Sequence, residues 1–491
     1  MGKHHFRSMA AFIFILLAAQ LACSSIGGSK PTATQQPQKT SQATKAGDTE
    51  VVETPAQETQ EGVVEPTATK QKAAGGGDAT GGGSASGYAC FGSKFNGATC
   101  LTAEGWKSYT PDSGDLETAG FQNMEVCSDG KIYAGTYSGI AVFDGQKWES
   151  IAIGDTSSSA DYLACAPDGN VWVGYFGGVG QYKNGGWTMF TSDLFYTGEY
   201  SGALAGLAVA PDGTVWVASL DAVSSYDGSA WKEYRKGKGF DDDISPRGLA
   251  VDSKNRVYTA DYDKLYVFEN GKWSSVKMGD VWTINSLTVD PQDRVWVNTS
   301  ISGVRIYDGS NWTGYSFPKD QIHSNGVYMA EFDKSGRTWL AMAYGIDVLV
   351  NGTWTHFRMD NADLVDNEFA AVAVVGDGPP LPAAMTKKTG SIAGQVTRGG
   401  SPLANAEMEF CVEAIGGIYF GDTPCSGQPL VKQVTADADG KFSVANLPVG
   451  YYILTIKLDD KWSSMGAYGS DRILVEEGKE TDLGEVTMKT D

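Results

Sequence analysis

From Gly87 onward, short apolar runs alternate with polar turns at a nearly fixed interval. One copy reads Leu207-Ala208-Val209-Ala210-Pro211-Asp212-Gly213-Thr214-Val215-Trp216-Val217. An apolar strand runs into a turn of Pro, Asp and Gly, and an aromatic strand follows. Proline presets φ and glycine accepts the positive φ of a tight turn, so the pattern predicts a hairpin. Counterparts run from Met124 to Ala134, Tyr162 to Val173, Asp252 to Tyr258, Asp290 to Trp296 and Asp333 to Trp339. A second hairpin completes each copy: Gly139 to Phe143, Asp144-Gly145 and Trp148 match Val304 to Tyr307, Asp308-Gly309 and Trp312. The terminal tryptophans, Trp106, Trp148, Trp187, Trp231, Trp273, Trp312 and Trp354, fall 39 to 44 residues apart. Four strands in about 41 residues is the period of a propeller blade. Seven tryptophans predict seven blades, with their rings packed between blades rather than on a ligand.

The ends of the repeat region complete one another. Tyr88 to Leu101, with Trp106, supplies the last three strands of a blade, and Glu368 to Gly378 supplies a first strand and turn. Together they predict a seventh blade that seals the ring and hides its edges. The propeller is expected over residues 87–380. Pro379-Pro380-Leu381-Pro382 leads into a stiff linker over 381–388. Beyond it, Ser391 to Val396, Val434 to Phe442 and Leu447 to Leu454 read as short strands in a new register, which predicts a β-sandwich over 389–491. The expected fold class is therefore all-β, a seven-bladed β-propeller followed by a small β-sandwich.

The N-terminal segment is different in kind. Lys3 and Arg7 precede an apolar run from Met9 to Ala19 that is too short for a standard membrane span, so residues 1–22 read as an export signal. Gln20-Leu21-Ala22-Cys23 then resembles a bacterial lipoprotein lipobox, with Gln20 where that pattern has an aliphatic residue. The resemblance implies lipid attachment at Cys23. Residues 23–86 are rich in Thr, Gln, Pro, Lys, Gly and Ser and can bury almost nothing, which predicts a disordered tether with a reach on the order of 45 Å. The expected location is the outer side of a bacterial membrane.

Charge narrows the partners. At a formal −21 the chain repels phosphate backbones, so nucleic acid is excluded and membrane contact is expected through the N-terminal lipid only. A monomer is expected. In an oxidising compartment, Cys90 and Cys100 on adjacent strands of the closing blade make a candidate cross-strand disulfide. Cys127 and Cys165 are read at matching positions of neighbouring blades and are expected to stay unpaired, because pairing there demands an unusually close approach. The chain has no CxxC spacing, and only His323 and His356 remain after the export signal, so no metal or other cofactor is expected.

An aromatic strand after an Asp-Gly turn, followed by Gly-x-x-x-(Tyr/Phe)-Asp-Gly-x-x-Trp, resembles the propeller repeats of two-component-regulator sensors. It is similar, more distantly, to streptogramin-lyase propellers. Gly394-x-Val396, Pro402-Leu403-x-x-Ala406, Thr435-x-x-x-x-Gly440-x-Phe442 and Leu447-Pro448-x-Gly450-x-Tyr452 resemble the carboxypeptidase-regulatory-like (transthyretin-like) sandwich. That resemblance implies an accessory domain, in which Cys411 and Cys425 bracket a long loop and form a second candidate pair. The lyase resemblance would imply His and Glu beside a metal on the axis. Here His323 precedes a first strand and could reach the axial face, whereas His356 follows Trp354 on an outer strand and is expected to be remote. No catalytic residue is therefore assigned. Asp437-Ala438-Asp439-Gly440 lacks the later acidic ligands of a calcium loop and reads as a hairpin turn.

The inter-blade connections carry Phe195, Tyr196, Glu199 and Tyr200, then Asp241 to Asp243, then Asp280 and Trp282. Hairpin loops of the same face add Tyr137, Tyr175, Phe176, Asp261, Tyr262, Asp263 and Tyr344. Aromatic platforms beside carboxylates suit sugar rings or cationic peptides. The candidate ligand face is thus Tyr137, Tyr175, Phe176, Tyr196, Tyr200, Tyr262, Trp282 and Tyr344, for an extracellular glycan, peptide or protein ligand bound without catalysis. The lipid reading has a direct test. In a bacterial host the wild-type chain should partition with membranes, and Cys23→Ser should release it to the soluble fraction; a soluble wild-type chain refutes the anchor.

Overall fold

The computed structural model describes residues 87–488, apart from 155–157, 199–201, 280, 282, 384, 413–422, 427, 429 and 466–471. Cys23, the 23–86 segment, Glu199, Tyr200, Asp280 and Trp282 therefore lie outside the described residues. Among those described, the one helical element is a 3₁₀ turn at Ser192–Leu194.

Seven antiparallel sheets make the blades. In the first, strands Phe121–Val126, Ile132–Thr136, Gly139–Phe143 and Trp148–Ile151 pair in chain order from the axis outward. Blades 2 to 6 begin with the inner strands Tyr162–Cys165, Leu204–Val209, Ala250–Val251, Ile284–Val289 and Val327–Phe332. Blade 3 gains a short parallel fifth strand, Gly239–Phe240. Blade 7 is composite: its inner strand Phe369–Val374 pairs with Ala89–Ser93, and Ala98–Thr102 and Gly105–Tyr109 follow outward. Each inner strand packs against those of its two neighbours, so the ring is closed.

What joins blade to blade is an aromatic relay on the outer strands. Each terminal tryptophan meets the residue three places after the tryptophan of the preceding blade. Trp148 lies 6.5 Å from Tyr109, Trp231 5.9 Å from Phe190, Trp273 6.0 Å from Tyr234, Trp354 5.2 Å from Tyr315 and Trp106 5.2 Å from Phe357. Trp187 and Trp312 pack in the same clusters as Ile151 and Val276. The five ring-on-ring contacts are edge-on, of the kind that adds to simple burial.

A second device sits under blades 4 to 6. Asp252, Asp290 and Asp333 are almost fully buried just after their inner strands. Each accepts from the arginine four residues on and the aromatic six residues on. Arg294 Nε and Trp296 Nε1 lie 2.6 and 2.9 Å from Asp290, and Arg337 Nε and Trp339 Nε1 lie 2.6 and 2.8 Å from Asp333. Arg256 and Tyr258 do the same for Asp252. Arg337 also donates to the carbonyl of Pro379, 2.7 Å away, tying the start of the linker to the ring.

Cys90 and Cys100 face each other in register and are joined, as are Cys411 and Cys425. The expectation for Cys127 and Cys165 is corrected: they form a disulfide, with Cα atoms 5.3 Å apart. Aligning Asp129-Gly130 with Asp168-Gly169 puts Cys165 opposite Val126, one residue from a match. Side chains alternate between the two faces of a sheet, so residues at matching positions point the same way round the ring. A one-residue offset turns the two thiols toward each other.

The C-terminal sandwich has one sheet of Ser401–Pro402, Thr389–Arg398 and Lys441–Pro448, with Glu480–Met488 parallel to Thr389–Arg398. The other holds Val431–Thr435, Glu407–Cys411, Gly450–Leu458 and Lys461–Met465, with Ile473–Val475 beside Gly450–Leu458. Ile392, Val396, Met408, Phe410, Leu454 and Ile456 fill the space between them. Arg472 fastens this domain to the ring. Its guanidinium lies 3.1 and 2.9 Å from the two oxygens of Asp366, which is fully buried and also accepts from Ser93 and Asn96 of the closing blade. The arginine is sandwiched by the rings of Phe95 and Tyr451. The Asp–Arg–Trp device yields a stability prediction. Asp333→Ala leaves Arg337 and the Trp339 N–H short of their acceptor and should cost about 3 kcal/mol in chemical denaturation, with Asp333→Asn losing less.

Candidate ligand face

The inner strands decide what lines the axis. Their pairing slips by one residue near the start of the strand in blades 1, 3, 5, 6 and 7, between Phe121 and Asn123, Leu204 and Gly206, Ile284 and Ser286, Val327 and Met329, and opposite Gly92–Ser93. A bulge leaves one residue unpaired and re-aims its side chain. Of the bulged residues, Gln122, Asn285, Tyr328 and Ala370 line an axial cavity of about 310 Å³ at the mouth of the channel, and Ala205 of blade 3 does not. Lys94, Tyr137 and Asp161 border the same space.

Most polar groups here are already held. Lys94 Nζ lies 3.1 Å from Glu368 and 3.6 Å from the centre of the Tyr328 ring, and Tyr328 donates to Glu368 at 2.9 Å. Burial opposes ionisation of Glu368, but Lys94 and Arg472 outweigh it and hold the carboxyl below its ordinary range. Asp161 accepts from Ser159 at 2.7 Å and Gln122 at 3.3 Å, yet burial keeps its carboxyl above the usual value.

Around the mouth, the turns joining second to third strands carry the exposed aromatics. Tyr137 of blade 1 is 44% exposed, Phe176 of blade 2 62% and Tyr262 of blade 4 50%. Arg247 donates to the Tyr262 hydroxyl at 2.7 Å and lies over its ring. Tyr175, beside Phe176, is half-buried. Two expected members of the face are corrected. Tyr196 is 3% exposed, its ring packed between blades 2 and 3 and its hydroxyl on Asp221. Tyr344 is 5% exposed beneath Arg358, on the side of the ring where the sandwich docks. Tyr200 and Trp282 are outside the described residues.

The two histidines overturn another expectation. His356 is not remote from His323: their ring centres are 3.6 Å apart. His356 stands in register with Asp347 on the neighbouring strand, its Nδ1 2.9 Å from Asp347 Oδ1. The connection from blade 5 crosses these outer strands, and the His323 backbone N–H donates to Asp347 Oδ2 at 2.7 Å. The ligand atoms of His323, Asp347 and His356 lie within 4.8 Å of one another, a grouping able to hold a metal ion by distance. The charge pattern opposes it. Arg358 Nη1 is 2.7 Å from His323 Nδ1, which makes that nitrogen the acceptor and places a permanent cation where a metal would sit. Burial, Arg358 and His356 together push the His323 pKa down to about 3.

Two carboxyls on the inner strands were missed by sequence reasoning. Glu125 and Glu331 occupy matching positions in blades 1 and 6, two residues before Cys127 and Asp333. Burial pushes Glu125 up to about 8, against an N–H bond from Cys165 and with added repulsion from Glu331, whose own burial takes it to about 7.

No family model and no curated protein matches the chain. Among solved structures it is similar to a streptogramin B lyase, at 16% identity and TM-score 0.40, over 50% of this chain and 85% of that one. PorZ, a bacterial surface component of the type-IX secretion system of Porphyromonas gingivalis, matches at 14% identity and TM-score 0.42, over 75% and 62% of the two chains. The extracellular domain assigned to a hybrid two-component system of B. thetaiotaomicron matches at 11% and 0.41, over 79% and 66%. The chain is a β-propeller protein, and these likenesses carry nothing about its activity.

The raised carboxyls predict a pH signature. The folded state holds the Glu125 proton up to about pH 8, whereas an unfolded chain releases it near 4.5. The stability it contributes is complete below 4.5 and lost as pH rises toward 8. Glu125→Gln should therefore gain thermal stability over wild type progressively between pH 5 and 8. A difference that stays flat across that range would mean the carboxyl ionises normally.

Proposed function

We propose that this chain is a surface-tethered extracytoplasmic binding protein whose propeller presents the axial mouth to a glycan, peptide or protein ligand, without catalysis. The observation that carries the reading is the exposure of Tyr137, Phe176 and Tyr262 on the second-to-third-strand turns of blades 1, 2 and 4, with Tyr137 bordering the concave axial cavity. Large rings left in water at the edge of a cavity mark a binding surface better than scattered exposed residues do. The rings supply stacking to such a ligand. The lipobox-like Cys23 and the 23–86 segment support tethering.

Two features favour binding over lyase chemistry. His323, which a streptogramin-lyase-like reading requires at the axis, is not among the residues lining the axial cavity. Its ring is instead engaged by Arg358 and His356. A scaffold role in an envelope complex would use the same face for a flat protein contact, and the concavity at the mouth favours the smaller ligand.

The test is a binding screen of the purified chain against envelope polysaccharides, oligosaccharides and peptides. A ligand of the mouth should bind at least about tenfold more weakly when Tyr137, Phe176 and Tyr262 are replaced together by alanine. Ligands that bind equally well to that variant would refute the assignment of the face.

A further inference from the structure

We infer that the ligand of the propeller mouth is an acidic glycan, with a uronate carboxylate held by Arg247; the inference rests on the mouth being the binding face. Arg247 lies on the connection entering blade 4, and the next two residues, Gly248 and Leu249, line the axial cavity. Its backbone N–H donates to Ala260 of blade 4 at 2.8 Å, and that of Gly248 to Ala205 of blade 3 at 2.7 Å, so the segment is pinned on both sides. The guanidinium is pinned as well. Nε is buried, Nη2 donates to the Tyr262 hydroxyl at 2.7 Å, and the head lies 5.4 Å from the centre of that ring. Nη1 has no acceptor among the described residues and, unlike Nε, is not buried, so an incoming group can reach it. A donor fixed in advance lowers the ordering cost of binding.

No carboxylate of the protein answers this charge. Of the nine described arginines, seven lie within 4.0 Å of a carboxylate, and Arg247 is one of the two that do not. The acids of the mouth are engaged with other partners. Glu368 lies 3.1 Å from Lys94 and 3.6 Å from Arg472, and Asp161 accepts from Ser159 and Gln122. At −21 overall the chain repels anions from a distance, but salt screens that field beyond about 8 Å, and the charges at the mouth decide what is held there. The rings beside the charge select a sugar. Tyr262 is 50% exposed, and Tyr137 and Phe176 add bare rings on the turns of blades 1 and 2. A pyranose ring can lie on such a face while its carboxylate accepts a charge-assisted hydrogen bond from the guanidinium alongside. An acidic peptide would satisfy the arginine and leave the rings without a partner.

Calorimetric titration of the full chain with trimers of galacturonate and of glucuronate tests the inference, each against its fully methyl-esterified trimer, with acetyl-hexaglutamate amide as an acidic peptide. An acid trimer should bind at least about tenfold more tightly than its ester, and the advantage should shrink as salt rises from about 50 to about 500 mM. Arg247→Gln should bring the acid down to the affinity of the ester, with the ester's own affinity and the melting temperature near wild type. Arg247→Lys, which keeps the charge and loses the planar fork, should retain part of the advantage. The inference is overturned if neither acid binds, if acid and ester bind alike, if Arg247→Gln keeps the preference, or if the peptide binds and the sugars do not. Equal binding of acid and ester that is lost when Tyr137, Phe176 and Tyr262 are replaced by alanine overturns it while leaving the mouth as the ligand face. An Arg247-dependent acid that binds this alanine variant as well as wild type refutes the ring face instead.

Discussion

The relay of outer-strand tryptophans onto the aromatic or aliphatic residue of the preceding blade is the contact on which the rest of this structure depends. A single four-stranded blade has two faces and cannot cover either alone. Edge-on packing of Trp273 against Tyr234, Trp231 against Phe190 and Trp106 against Phe357 covers each blade with its neighbour. Repeated seven times, the contact leaves no blade face over, and the wedge shape of each layer returns the chain to its start. Five of these tryptophans, Trp106, Trp148, Trp231, Trp273 and Trp312, bury an indole N–H without an acceptor. Ring packing is therefore strong enough here to offset an unmade hydrogen bond in blade after blade.

The ring is uniform in its outer layer and graded in its inner one. Blades 4 to 6 hold the base of their inner strands with a buried aspartate clamped by arginine and an aromatic donor, whereas blades 1 and 2 use the Cys127–Cys165 bridge. The docked sandwich adds a second asymmetry. Arg472 reaches Asp366 and Glu368, and Glu368 holds Lys94 at the channel wall. The C-terminal domain is thus linked by consecutive charge contacts to the axial mouth. It covers the side where Tyr344 lies and leaves the turns of blades 1, 2 and 4 open, so its position selects which aromatics remain available.

The architecture was legible because its signals are local and repeated. An Asp-Gly turn fixes a hairpin within four residues, and seven copies with one tryptophan each leave little freedom in counting blades. Matters of side-chain direction were less legible. The pairing of Cys127 with Cys165 turns on an offset of one residue, visible only when the turns are aligned residue by residue. The aspartate clamps could have been found, since Asp252, Asp290 and Asp333 share the spacing to Arg and to Tyr or Trp. The meeting of His323 with His356 could not, because it depends on where an irregular connection crosses a blade. The burial of Tyr196 and Tyr344 likewise follows from packing between blades and from Arg358, and aromatic content alone does not separate a rim residue from a wedge.

The composite seventh blade imposes an order on assembly. Ala89–Ser93 is made near the start of the folded region, but its inner partner Phe369–Val374 is made after all six other blades. Hairpin pairing with Ala98–Thr102, stapled by a disulfide only ten residues apart in sequence, needs no such wait. The opposite edge must, because closure over so long a stretch of chain is slow and leaves a strand edge open in the meantime. During synthesis the first hairpin is therefore a stored half-blade with one adhesive side. The last propeller strand to emerge both completes the channel and removes the most exposed site for misassociation, so completion of the ring doubles as the checkpoint between nascent and finished protein.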